Sequence, residues 1–213
     1  MRTLWNGLLL LAGTGVAAAH DALLEQALAR GAVPAAGLNG MVRTTTTVTG
    51  GDKPELESES VDPRKDPKKA MASYAELRDV VGADARMVGQ AAGRATYRFT
   101  TRHLPRGTVQ AGNVNVSSDG KGDDELFDGV LTVTKDAAGK PFVDHLDLKL
   151  HGPAGNIIGR VKKVDVSYAF APTPGGEAML TTACTVDAKV RLFFFVHREA
   201  HAESQWIAAA PTP

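Results

Sequence analysis

Cysteine is nearly missing from the 213-residue chain. Cys184 stands alone, so neither an intramolecular disulfide framework nor a multi-cysteine zinc site is available. An excess of one charge is missing too. Lys and Arg total 24, as do Asp and Glu, and the formal net charge of zero excludes a strongly basic nucleic-acid binder and an acidic tail protein. Beyond the N-terminus no apolar run approaches the about 20 residues of a spanning helix, so no transmembrane segment is expected. No G-x-S-x-G elbow and no phosphate-loop spacing occur, and the one thiol falls in an apolar alternation. Catalysis therefore has no visible carrier, and neither catalytic residue, metal nor cofactor is assigned. What remains is an ordinary globular composition, 43% hydrophobic and 23% charged, long enough for a core without staples.

The first residues have the form of a secretory signal. Arg2 supplies the charge, Leu8 to Ala12 the apolar stretch, and Ala17-Ala18-Ala19 the small residues of a cleavage site, placing the cut between Ala19 and His20. The stretch is too short for a membrane anchor, which is the alternative. Leu11-Ala12-Gly13 resembles the front of a lipobox, but Thr14 occupies the place of the lipidated cysteine. A periplasmic or secreted protein that is not a lipoprotein is expected. In that oxidising compartment a lone thiol is expected to be buried.

His20 to Arg30 puts Leu23, Leu24, Ala27 and Leu28 on one stripe, which predicts a short helix closed by Gly31 and Pro34. Met41 to Thr49, rich in Thr and Val, predicts a strand turning at Gly50-Gly51. Asp52 to Lys69 holds Pro54, Pro63 and Pro67 with an acidic and then a basic run, and predicts a loop or partly disordered segment. Helical spacing returns from Ala70 to Val81 through Met71, Tyr74, Leu77, Val80 and Val81, and residues 83–93 predict a loose connection.

From Arg94 onward alternation takes over. Tyr97 and Phe99, Leu131 and Val133, Leu146 and Leu148, Val166 and Tyr168 each fall on one face of a strand. The last run, Leu180 to Val196, puts Cys184, Val190, Leu192 and Phe194 on the buried parity. Short polar turns between strands predict antiparallel pairing. The expected fold is α+β, mainly β: a curved antiparallel half-barrel sheet of about seven strands with helices over its concave face. The expected organisation is a signal peptide at 1–19, a single domain at 20–207 with a charged, Pro-rich and helical insertion at 52–93, and a disordered tail at 208–213.

Polar constellations are weak. His197-Arg198-Glu199-Ala200-His201 spaces two histidines four apart, but its Glu is one place late for a zinc-protease motif and the context is a strand, where such residues lie about 13 Å apart. His20, as a new N-terminus, has the chemistry to chelate copper, or is incidental. His103, His145 and His151 have no readable partner. Asp119 to Glu125 is only loosely a calcium loop, because Lys121 sits where an oxygen ligand belongs. The apolar face is the stronger feature. It is either a structural core or the lining of a cavity for an apolar ligand, with Tyr97, Phe99, Leu131, Val133, Leu146, Leu148, Val166, Tyr168, Val190, Leu192 and Phe194 as candidate contacts.

The run Phe127 to Val133, Gly139-Lys140-Pro141, the Leu146/Leu148/Leu150 strand, Val166-Ser167-Tyr168, the Pro172 to Gly176 turn and the final Leu192 to Phe195 resemble the periplasmic half-barrel superfamily of lipoprotein carriers (LolA/LolB-like). The match is one of strand rhythm over residues 94–207, and 52–93 departs from the compact carriers. The resemblance implies a non-enzymatic carrier or sensor that holds a lipid or lipoprotein acyl chain between sheet and helices. The alternative is a periplasmic interaction module with a closed core, whose charged segment docks a protein partner. No oligomeric state is assigned.

Overall fold

The computed structural model describes residues 21–111, 114–117, 126–155, 159–192 and 196–209. The expected signal peptide, His20, Phe194, the 119–125 turn and residues 210–213 lie outside them. Helix α1 spans Ala22–Leu28 and α2 spans Leu77–Val80. Twelve strands follow the chain: β1 (Gly40–Thr49), β2 (Glu55–Val61), β3 (Arg86–Ala91), β4 (Arg94–Thr101), β5 (Thr108–Ala111), β6 (Val114–Ser117), β7 (Phe127–Lys135), β8 (Pro141–Leu150), β9 (Ala154–Gly155), β10 (Gly159–Pro172), β11 (Met179–Leu192) and β12 (Val196–Ala208).

Ten of these strands form one open antiparallel sheet in the order β2-β1-β12-β11-β10-β8-β7-β4-β3, with β9 beside β10. β5 and β6 make a separate hairpin lying against β11, β12 and β1. About seven strands were expected, and the excess is explained by polarity. Residues 52–93 supply both edges, β2 and β3, and every residue of Glu55–Ser60 and of Arg86–Ala91 is exposed. An edge strand without a buried face shows no apolar alternation, and charged side chains are what protect such edges from further pairing.

The chain between the edges, 62–85, crosses one face of the sheet and carries Tyr74, Leu77, Val80 and Val81 into a single core with α1 and the strands. Tyr74 is the central tie. Its hydroxyl donates to the Ala27 carbonyl (2.8 Å) and accepts from the Val143 N–H (2.8 Å), joining the crossing segment to α1 and β8. Burial pushes its pKa up to about 12. Its ring meets Phe170 edge-on at 5.2 Å.

The helix expected over 70–81 is shorter than its stripe. Ser73 caps a 3-10 turn (Tyr74–Glu76) through a capping box with Glu76, and α2 follows directly. Met71 therefore lies outside the helix, in an extended stretch. Helix α1 forms where its stripe of Leu24, Ala27 and Leu28 was expected, but it ends at Leu28 with Ala29 rather than Gly31 as its cap. The Asp21 carboxylate accepts from the Leu24 N–H (3.0 Å) and also from the Tyr97 hydroxyl (2.9 Å). Just beyond the helix, Arg30 bonds Asp136 (2.9 Å) and the Gly176 carbonyl (2.7 Å), tying α1 to two hairpin turns.

Three further expectations are corrected. The last run is not one strand: β11 ends at Leu192 and β12 begins at Val196, so His197 and His201 stand on a new strand. Within β11 a bulge at Thr182 shifts the parity, so Met179 and Thr181 face inward rather than Leu180. Ala208, assigned to the tail, closes β12. Several glycines are required by packing: a Cβ at Gly129 would meet the Phe99 ring of the neighbouring strand at 2.3 Å, and one at Gly82 the Thr100 carbonyl oxygen at 2.2 Å.

Candidate groove beneath the 62–73 strap

Strand register places one residue from each of eight strands in a row across the inner face: Glu59, Thr44, Ser204, Cys184, Tyr168, Leu146, Leu131 and Tyr97. The row begins acidic, passes through hydroxyls and a thiol, and ends in hydrocarbon. The next row, Glu57, Thr46, Ala202, Val186, Val166, Leu148, Gly129 and Phe99, repeats the gradient.

The expected apolar contacts lie together, but at the filled end of these rows. Tyr97, Phe99, Leu131, Val133, Leu146, Leu148 and Val166 share one core with α1 and the crossing segment, and Leu131, Leu146 and Leu148 are 0% exposed. Leu131, Leu146 and Leu148, enclosed to that extent, are packed against protein and not against a ligand space. Val190 packs partly buried at the margin of the core. Leu192 ends β11 with its side chain outside the described residues, as is all of Phe194. Of the expected contacts, only Tyr168 reaches the hollows described next.

Those hollows adjoin under the strap 62–73. One, of about 230 Å³, is mostly apolar: Leu38, Val42, Met71, Tyr74, Met179 and Trp206 surround it. The other, of about 310 Å³, is polar, with Thr44, Thr46, Ser204, Cys184 and Tyr168 on the sheet, Glu57 and Glu59 on β2, and Lys68 and Lys69 on the strap. Ala70, Met71, Ala72 and Arg106 line both.

The strap is held by side chains rather than by sheet pairing. Asp62 grips Arg64 through both carboxylate oxygens (3.0 and 2.9 Å), and that contact holds its carboxyl below the usual range. Lys69 pairs with Glu59, and the pairing raises the lysine pKa. The Arg106 guanidinium donates to the carbonyls of Ala70 and Pro67 (2.7 Å to Pro67). The Thr181 hydroxyl donates to the Ala72 carbonyl (2.5 Å). Arg106 adopts φ 63°, the left-handed region that side chains rarely occupy. Its N–H meets the Glu76 carboxylate at 2.5 Å. Strain of order 1 kcal/mol at such a position is typical of ligand clamps.

Cys184 faces inward, as its parity predicts, and is half-buried in the polar hollow. Burial pushes its thiol up to about 12 despite a hydrogen bond from the Tyr168 hydroxyl, and burial raises Tyr168 as well. A thiol at that value is not a nucleophile near neutrality.

On the outer face, His145 bonds both Ser167 (3.1 Å) and Asp147 (3.2 Å), a set that resembles a hydrolytic triad in residue type only. Both contacts converge on Nε2, so the ring does not relay a proton between them. His201 has each ring nitrogen on a carboxylate, Asp187 at 2.9 Å and Glu203 at 3.1 Å, which leaves neither for a metal shared with His197.

The groove charges were missed in the sequence because Glu55-Leu56-Glu57-Ser58-Glu59 alternates without a hydrophobic parity. The regular spacing of its glutamates was the available signal of a strand. Comparison with known proteins finds no family model, no curated protein and no solved structure that matches this chain.

Proposed function

We propose that this is a non-enzymatic binding protein of the periplasm that seats an amphiphilic lipid in the groove under the strap, acting as carrier or sensor. The observation that carries the reading is the adjacency of an apolar and a polar hollow beneath one strap that touches both. An acyl chain enters the hollow of Met71, Met179 and Trp206, and its polar end lies between β2 and the strap. Ligand pockets commonly measure roughly 300–1,000 Å³, a range the two hollows reach together. The apolar ligand expected from the strand alternation is thereby moved from the filled core to its margin. The half-barrel shape belongs to the same proposal. Bulges at Thr182 and Lys162 and irregular register at Val88 and Val133 support it, because bulges bend strands. So does the resemblance to lipoprotein carriers, together with the signal-like N-terminus.

Trp206 reports on the site. In a Trp5→Phe background, titration with a medium-chain fatty acid is expected to change Trp206 fluorescence saturably. Met71→Glu, which places a charge in the apolar hollow, is expected to weaken binding at least tenfold. Protein that shows neither a fluorescence change nor any lipid in native mass spectrometry would remove the proposal. The filled core favours a second reading, an interaction module without a ligand, for which that negative result is the expected one.

A further inference from the structure

We infer that the polar hollow is built for a zwitterionic head, one carrying an ammonium and an anionic group a few bonds apart, as in a phosphocholine or phosphoethanolamine amphiphile. This rests on the groove being the binding site. Five charged side chains line the hollow: Glu57 and Glu59 from β2, Lys68 and Lys69 from the strap, and Arg106. They do not simply neutralise one another. Lys69 takes Glu59, and the Arg106 guanidinium spends its donors on the Pro67 and Ala70 carbonyls, acceptors that leave its charge in place. The Glu76 carboxylate accepts from the backbone N–H groups of Arg106 and Ser73.

Glu57 and Lys68 are left without an ion-pair partner among the described residues, although both line the same hollow and their neighbours two and one residues along, Glu59 and Lys69, are paired. The open acid lies on the sheet edge and the open base on the strap. A fatty-acid carboxylate placed between them would meet Lys68 favourably and Glu57 unfavourably, and a simple cation would meet the reverse. Only a head with both charges satisfies both walls, and the clash of like charges is what rejects a singly charged competitor. The floor adds hydroxyl partners for a phosphate: Thr44 and Ser204 hydrogen-bond each other at 2.8 Å and retain acceptor and donor capacity.

The experiment compares three probes of equal tail: dodecylphosphocholine, dodecyl sulfate and dodecyltrimethylammonium, each below its micellar concentration, read by Trp206 fluorescence in the full chain carrying Trp5→Phe. The zwitterion is expected to bind at least tenfold more tightly than either singly charged probe. Glu57→Gln is expected to erase its advantage over dodecyl sulfate, and Lys68→Gln its advantage over dodecyltrimethylammonium. Both residues are exposed, so these changes leave the core intact. If all three probes bind alike, or the two variants leave the order of affinities unchanged, the zwitterionic head is wrong while the groove stands. If none of the three perturbs Trp206, the groove is not a site and both proposals fall.

Discussion

At Cys184 the inner face of the sheet changes character. On one side, through Leu146, Leu131 and Tyr97, it is covered by α1 and the crossing segment and enclosed. On the other, through Ser204, Thr44 and Glu59, it faces a strap held on side-chain hydrogen bonds, with a hollow beneath. Same sheet, same register, opposite outcomes. What differs is the covering element. A helix brings its own apolar stripe and satisfies its own backbone groups, whereas an extended strap offers backbone carbonyls that must be met by residues such as Arg106 and Thr181. The filled half thus holds the fold together, and the other half keeps space beneath its cover.

The contrast can be broken at single positions of one row. Leu131→Ala in the filled half is expected to destabilise by about 2–5 kcal/mol, since the site is fully enclosed and cannot collapse. Thr44→Ala, two strands beyond Cys184 in the hollow half, removes one hydrogen bond to Ser204 and is expected to cost only about 0.5–1.5 kcal/mol. Urea unfolding monitored by circular dichroism ranks the two; equal costs would show the halves to be equally packed.

The smallest effect lies on the outer side of the hollow half. His201 is raised above the ordinary histidine value, first by its bond to Asp187 and then by Glu203. A raised folded value means that its stabilising contribution is fully present below about pH 6.5 and is lost as pH rises through the folded pKa. The pair is well exposed, so the contribution is small. An NMR titration is expected to place His201 above the ordinary histidine value, and Asp187→Asn to lower it. A titration unmoved by Asp187→Asn would show that the contact does not persist in solution.

Much of the filled half was legible beforehand. Tyr97, Leu131, Leu146 and Val166 were placed on one inner face because large apolar residues at alternate positions have one stable use in a chain of this composition. β2 and β3 were not legible, since a strand exposed on every residue carries no hydrophobic period. Met71 misled for the opposite reason: it fits the helical stripe, but Ser73 caps the helix two residues later. The candidate groove was invisible as a unit, because Glu57, Lys68, Arg106 and Trp206 come from four separate parts of the chain.

Local residue order by itself determined which side chains of each strand point inward and where most turns fall, because side-chain alternation and turn preferences are properties of a few consecutive residues. Only the tertiary structure decided that β1 pairs with β12, bringing Thr44 to Ser204 across 160 residues, and that 62–85 crosses the sheet between its two edges. Such pairings are chosen by the whole chain, which must satisfy every strand's backbone groups and bury one shared face at once, and no short stretch of sequence encodes that choice.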